Sequence, residues 1–319
     1  MAFVSTASDS LGGTAGSAGV VQKAYDKLIG FQLRSEPLIR SVADKRPTQL
    51  TQPGQVIVLQ RYVDLTATTT PLDELVDPDG VAMSTPTSVT ITLAEYGKSV
   101  TKTRLLSLTS LKDVDPDIAN IIGQHQIDTL DAVSMNTLKS GTNVIYSGAT
   151  ATSTATVTAA ATISAANIRK AVAKLRANKA LGRKGSLYWA GIHPEVSHDL
   201  RADTGSLGWY LPNQYGASQD RIWAGEIGTF EGAFFVESPR LYNAQDGAGT
   251  DPNKARVYRT IIAGQEAMAE AVASEPHTEI GNMTDSLNRF RKIGWYGVLG
   301  QAVYRNEALY RIESGSSIA

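Results

Sequence analysis

The strongest case for chemistry in this chain of 319 residues is the stretch HPEVSH, which sets His193, Glu195 and His198 close together. Two imidazoles and a carboxylate can hold a divalent metal and activate water. The spacing argues against it: on a helix a five-residue offset turns by about 500° and leaves the two rings about 140° apart, whereas histidines four residues apart share a face. The expectation is a helix start with two partly exposed histidines. His125 and His277 stand alone, and His125, on a long helix, reads as a packing or interface residue. GRKGS lacks the spacing of a phosphate-binding loop, and Gly225, Gly228 and Gly232 are not in dinucleotide-binding order. No serine sits in a GxSxG elbow, and Ser186 begins a strand instead. A glycosidase needs two carboxylates without sequence proximity, so a carbohydrate-acting hydrolase is the leading enzymatic alternative, with no positive support. The acids of DELVDPDG, Asp73, Glu74, Asp77 and Asp79, do not follow calcium-loop spacing and read as solvated or ion-paired. No catalytic residue, metal or cofactor is expected.

Composition narrows the classes further. Thirty basic against thirty-one acidic residues give a net charge of -1, so no overall basic surplus marks a nucleic-acid binder. The chain has no cysteine, which excludes disulfides, thiolate nucleophiles and thiolate zinc sites. The first residues, MAFVSTASDS, lack a positive start and an apolar run, so cytoplasmic synthesis is expected. From Ser140 to Ile168 no residue is charged. Hydroxyls alternating with small side chains suit strand and loop there, and no membrane segment is expected.

The elements that would position any site follow from periodicity. Residues 1–20, with Gly12, Gly13, Gly16 and Gly19, read as a flexible arm, and Val21 to Val42 as two short helices broken at Gly30 and Pro37. QVIVLQRYVDLT and SVTITLAEYGKSVTKTRL alternate as two long strands of one hairpin, with an acidic tip too long for an ordinary turn. Asp115 and Pro116 start a long helix that ends before Gly141. Its apolar stripe is Ile118, Ile121, Ile122, Leu130, Val133 and Leu138, with Asp128, Asp131 and Lys139 at polar positions. Ser164 caps a second amphipathic helix that stops at Gly182. SLYWAGI is a buried strand, a short helix runs from Pro194 to Leu200, and GEIGTFEGAFFVES is a hairpin turning at Glu231 and Gly232. RVYRTIIAG is a strand, EAMAEAVA a helical or extended piece, and GWYGVLGQAVYRNEALYRI a long strand pair. The order gives an α+β fold.

A small-residue arm, a charged long hairpin, one long helix, a mixed lobe and a final return strand occur in that order. With TPLDE, IHPEVSHDLR, GEIGTFEGAFFVES and GWYGVLGQAVYRNEALYRIESGS, the chain resembles the major capsid proteins of tailed bacteriophages, with the Hong Kong 97-like fold. The resemblance implies an arm over 1–50, an extended hairpin loop over 51–107 and a peripheral lobe with its spine helix over 108–147. An axial lobe follows over 148–270, and 271–319 forms a peripheral turn and return strands. It implies a shell of hexamers and pentamers, with portal, scaffolding and decoration proteins as partners, that holds double-stranded DNA by weak nonspecific contact. Encapsulins share the fold and stand as the neighbouring alternative. In the family such hairpin tips lie over the adjacent subunit. Asp73, Glu74, Asp77 and Asp79 are therefore expected to meet Arg289, Arg291 and Lys292 in NRFRKIGW. Ile118, Ile122, Leu130 and Val133 are expected to pack the spine helix.

Overall fold

The computed structural model describes residues 39–46, 54–62, 65–77, 80–110, 114–203, 228–283, 285–287 and 289–318. The expected arm and most of the segment expected to be helical before Val42 lie outside these residues. What is described there is a single 3₁₀ turn, Arg40–Val42, running into β1 (Ala43–Lys45).

The alternating run after Gly54 forms β2 (Val56–Arg61), paired antiparallel with β3 (Thr87–Thr92) in a two-stranded ribbon. Ile57 and Leu59 turn inward onto Ile91, Leu93, Ala269 and Ala271. The expected second hairpin strand divides. After Leu93 it continues as β4 (Ala94–Thr103), whose partner is a strand near the C-terminus, not the other arm of the hairpin. A short helix not expected from the sequence, α1 (Arg104–Thr109), follows, with the Thr103 hydroxyl accepting from Leu106 N–H at 3.1 Å.

The N-cap position of the long helix α2 (Asp115–Leu138) is Val114, with no side-chain cap, and Asp115 sits inside the first turn and pairs with Lys102 at 2.5 Å. After β5 (Val144–Tyr146), the uncharged segment makes only a 3₁₀ turn, Thr154–Thr156, before α3 (Ala165–Ala177). Ser164 holds the N-cap position of α3, but the side-chain acceptor for Ala165 N–H is Asp203, at 3.2 Å. The helix ends at Asn178, ahead of Gly182. Then come β6 (Tyr188–Ile192), α4 (Pro194–Ala202), β7 (Thr229–Phe230) and β8 (Ala233–Glu237). Glu231 and Gly232, at φ 50° and 86°, make the turn between β7 and β8. The remaining strands are β9 (Asn243–Ala244), β10 (Val257–Ala263), β11 (Met268–Met283), β12 (Phe290–Val303) and β13 (Leu309–Ser314). EAMAEAVA is thus extended. The expected terminal strand pair is corrected too: β12 pairs with β11 and β4, while β13 pairs with β10 and β5 in another sheet.

Two sheets result. One has the order β1-β11-β12-β4; the other follows β5-β13-β10-β6-β8-β7, with β9 beside β10. In the second, β6 and β10 are buried at every position. β6 is an apolar run without alternation, as a strand covered on both faces requires, while Arg259 within β10 is paired with Asp246 and Glu313. α3 contributes Ile168, Ala171, Val172 and Leu175 to this main core.

α2 serves both sheets. Near its start Ile118 and Ile122 pack on Ile293 and Trp295 of β12, and near its end Met135 and Leu138 enter the main core. Ile121 is half exposed, because a residue one place before Ile122 lies about 100° away around the helix. Val133 is only partly buried, whereas Leu130 is 7% exposed. Asp131, expected at a polar position, is buried at 1% because Arg240 reaches it.

Candidate assembly surfaces

The hairpin tip is exposed throughout its described length. Asp73, Glu74 and Asp77 face solvent, and Asp79 lies outside the described residues. Asp73 folds its own turn by accepting from Leu75 N–H at 3.3 Å. The acids alternate with apolar groups that sequence reading passed over: Leu72, Leu75 and Val76 are 74%, 93% and 61% exposed. Val81 and Met83 stand out on the returning limb. The signal was present as large apolar residues between prolines in TPLDELVDP, a setting that offers no regular element to bury them.

The base of the ribbon is fixed where the tip is not. Arg61, last in β2, makes a forked pair with Glu307 at 3.1 and 3.3 Å. The hydrogen bond from Arg61 holds the Glu307 carboxyl below its usual range. A Cβ at Gly300 would collide with Thr92 O, so the glycine lets β12 pass close beneath the ribbon.

The three cations expected to receive the tip do not behave alike. Arg289 is engaged locally, with Asp285 at 2.6 Å and with its guanidinium over the Phe290 ring. Arg291 and Lys292 are exposed on β12, opposite Lys102 and Thr101 of β4. Among the described residues no ion pair joins them to the tip acids of the same chain. Sequence reading also missed α1, which presents Leu105 and Leu108 at 71% and 75% exposure immediately after β4. Three leucines within RLLSLT were the available sign.

The residues of HPEVSH and the histidine of α2 make structural contacts. His193 Nδ1 accepts from Glu195 N–H at 3.3 Å as the cap of α4, and its ring lies on Tyr258. Burial lowers the His193 pKa; burial and Glu195 push the Tyr258 phenol up to about 12, so it stays a donor to that carboxylate. His198 points away beside Asp199, and no group of metal-ligating side chains occurs among the described residues. His125 Nδ1 accepts from Trp295 Nε1–H at 3.1 Å, pinning α2 to β12. No described helix is long and apolar enough to cross a membrane.

Residues 86–312 match the family model described as phage capsid protein. The chain belongs to this phage capsid family. Its fold is the Hong Kong 97-like capsid fold, as the solved structures agree. The capsid of Ralstonia phage GP4 superposes with a TM-score of 0.73 at 15% identity, over 93% of this chain and 95% of that one. The capsid of cyanophage Pam1 gives 0.69 at 14%, over 92% and 96%. A chain from Mycobacterium phage Che8 gives 0.66 at 14%, over 91% and 96%. A search of curated protein sequences returned no match. The capsid subunit is a structural protein, and neither the encapsulin nor the hydrolase alternative is favoured.

Proposed function

We propose that the subunit closes into an icosahedral shell of hexamers and pentamers around a double-stranded DNA genome, assembled in the host cytoplasm with portal and scaffolding proteins and open to decoration. The observation that carries this reading is the hairpin tip. A run of exposed Leu72, Leu75 and Val76 interleaved with carboxylates has no partner among the described residues of its own subunit. Apolar surface of this kind is covered by association. The tip of one subunit lies over β12 of the next, with Arg291 and Lys292 receiving Asp73, Glu74 and Asp77 while the leucines bury. Each such pairing is small, and closure of the shell multiplies it.

Purified or co-expressed protein, viewed by electron microscopy, is expected to form closed shells, rings or tubes. A chain that stays monomeric at high concentration with scaffold supplied removes the reading.

A further inference from the structure

The segment from Ser140 to Pro194 contains no aspartate or glutamate, yet it holds seven cations: Arg169, Lys170, Lys174, Arg176, Lys179, Arg183 and Lys184. The whole chain has a net charge of -1, so this positive charge is concentrated in one stretch and offset elsewhere. The contrast with α2 is direct, since that helix has four aspartates and no lysine or arginine.

The cations fall into two sets. Arg169 pairs with Glu231 at 3.0 Å and Arg183 with Asp44 at 3.1 Å. Lys170, Lys174, Arg176, Lys179 and Lys184 are exposed and make no ion pair among the described residues. Nearby carboxylates are committed: besides Glu231 and Asp44, Glu266 holds Arg46 and Glu307 holds Arg61. Lys170 and Lys174 are one turn apart on the face of α3 opposite Ile168, Val172 and Leu175, which are buried. Charge at a helix C-terminus is favourable in its own right, but that accounts for Lys174 and Arg176 in the last turn and not for Lys170, Lys179 or Lys184.

We propose that Lys170, Lys174, Lys179 and Lys184 form a surface that binds the phosphate backbone of double-stranded DNA, so that this face of α3 is turned toward the interior of the shell. The inference rests on the shell reading above and names the partner of one face. Arg169 and Arg183, whose forks suit carboxylates, are already occupied. The outward set is lysine apart from Arg176, and lysines are point charges that neutralise phosphates without reading bases. Before α3 the uncharged segment exposes Thr150, Thr152, Ser153, Thr156 and Thr158, which add no repulsion to a polyanion.

The test measures binding of the full-length, unassembled chain to a fluorescent DNA duplex by anisotropy across a salt series. Changing all four lysines, Lys170→Gln, Lys174→Gln, Lys179→Gln and Lys184→Gln, is expected to weaken binding about tenfold or more at low salt. The salt slope should fall by about one for each phosphate that is no longer neutralised. A control of equal charge change, Lys45→Gln, Lys98→Gln, Arg104→Gln and Lys254→Gln, is expected to keep most of the affinity. Both variants should retain the wild-type melting temperature, and the double variant Lys170→Gln, Lys174→Gln gives a smaller effect of the same sign if the fourfold change disturbs folding. Unchanged binding in the fourfold variant, or equal losses in variant and control, overturns the proposal. Tighter binding of an acidic peptide with the sequence TPLDELVDPDG than of the duplex, lost in the fourfold variant, overturns it in favour of a protein partner. Normal shells with unaltered DNA binding defeat this surface alone. A failure to form shells defeats the shell reading and leaves the anisotropy result standing.

Discussion

Arg240 reaches across to Asp131 on α2, Nη1 to Oδ2 at 3.3 Å, and its other nitrogen holds Asp128 at 2.7 Å. Asp131 is 1% exposed, so the guanidinium is what makes that carboxylate tolerable in the interior. Among the described residues, Arg240→Ala leaves the charge with the Arg40 amide as its remaining donor. The expected cost is about 3 kcal/mol, read as a lowered urea midpoint of the unassembled chain. Adding Asp131→Asn should recover part of the loss; no recovery would mean that Arg240 acts by packing alone.

Ile122 and Ile121 are neighbours with opposite fates. Ile122 is 2% exposed against Ile293 and Trp295, whereas Ile121 is 50% exposed. Ile122→Asp is expected to cost several kcal/mol, about 3 or more, and to prevent soluble folding. Ile121→Asp should change the stability of the isolated chain by about 0.5 kcal/mol or less. Soluble yield and thermal melts decide it, and equal tolerance of both changes would place α2 in a different helical phase.

Reversal of the tip charges by Asp73→Lys and Glu74→Lys is expected to lower assembly yield at low salt, with less effect at high salt where exposed charges are screened. Adding Arg291→Glu should restore part of the yield. Yield unchanged across the whole salt series would sink the pairing and leave the fold untouched.

Asp199 fastens the C-terminus to α4, since it accepts from Ser317 through both the backbone N–H, at 2.9 Å, and the hydroxyl. Burial alone would raise its pKa, but the bonds from Ser317, His198 and Ser316 outweigh that and lower it. A carboxyl depressed in the folded state contributes stability above its unfolded pKa, near 3.8, and loses it as pH falls through the folded value. Asp199→Ala should therefore destabilise the protein at neutral pH and flatten its stability loss below about pH 4. Parallel pH profiles for wild type and variant would rule out this contribution.

Local chemistry made much of the fold legible. β6 announces itself as an unbroken apolar run, and Asp115 with Pro116 marks the start of α2 to within one residue. Partnership across the chain was not legible. Asp131 reads as a surface residue until Arg240, 109 positions away, is brought beside it. β12 and β13 read as a hairpin because only a 3₁₀ turn separates them, yet each finds partners remote in sequence. At the assembly surface the acids of the tip were plain in the composition, while Leu72, Leu75 and Leu105 were not singled out. An exposed leucine is identical in sequence to a buried one, and only the absence of a covering element separates them.

The junction at Leu93 gives the ribbon a mechanical meaning. β3 passes into β4 with a single residue between them, and that residue is buried with Ile91, so no loose linker lies between the ribbon and the four-stranded sheet. A force on the tip is carried as tension along one continuous strand into β4, across its hydrogen bonds to β12, and through Trp295 and Ile293 to the start of α2. Arg61 and Glu307 clamp the other limb, so the ribbon is joined to the rest of the subunit by covalent strand on one side and by a forked ion pair on the other.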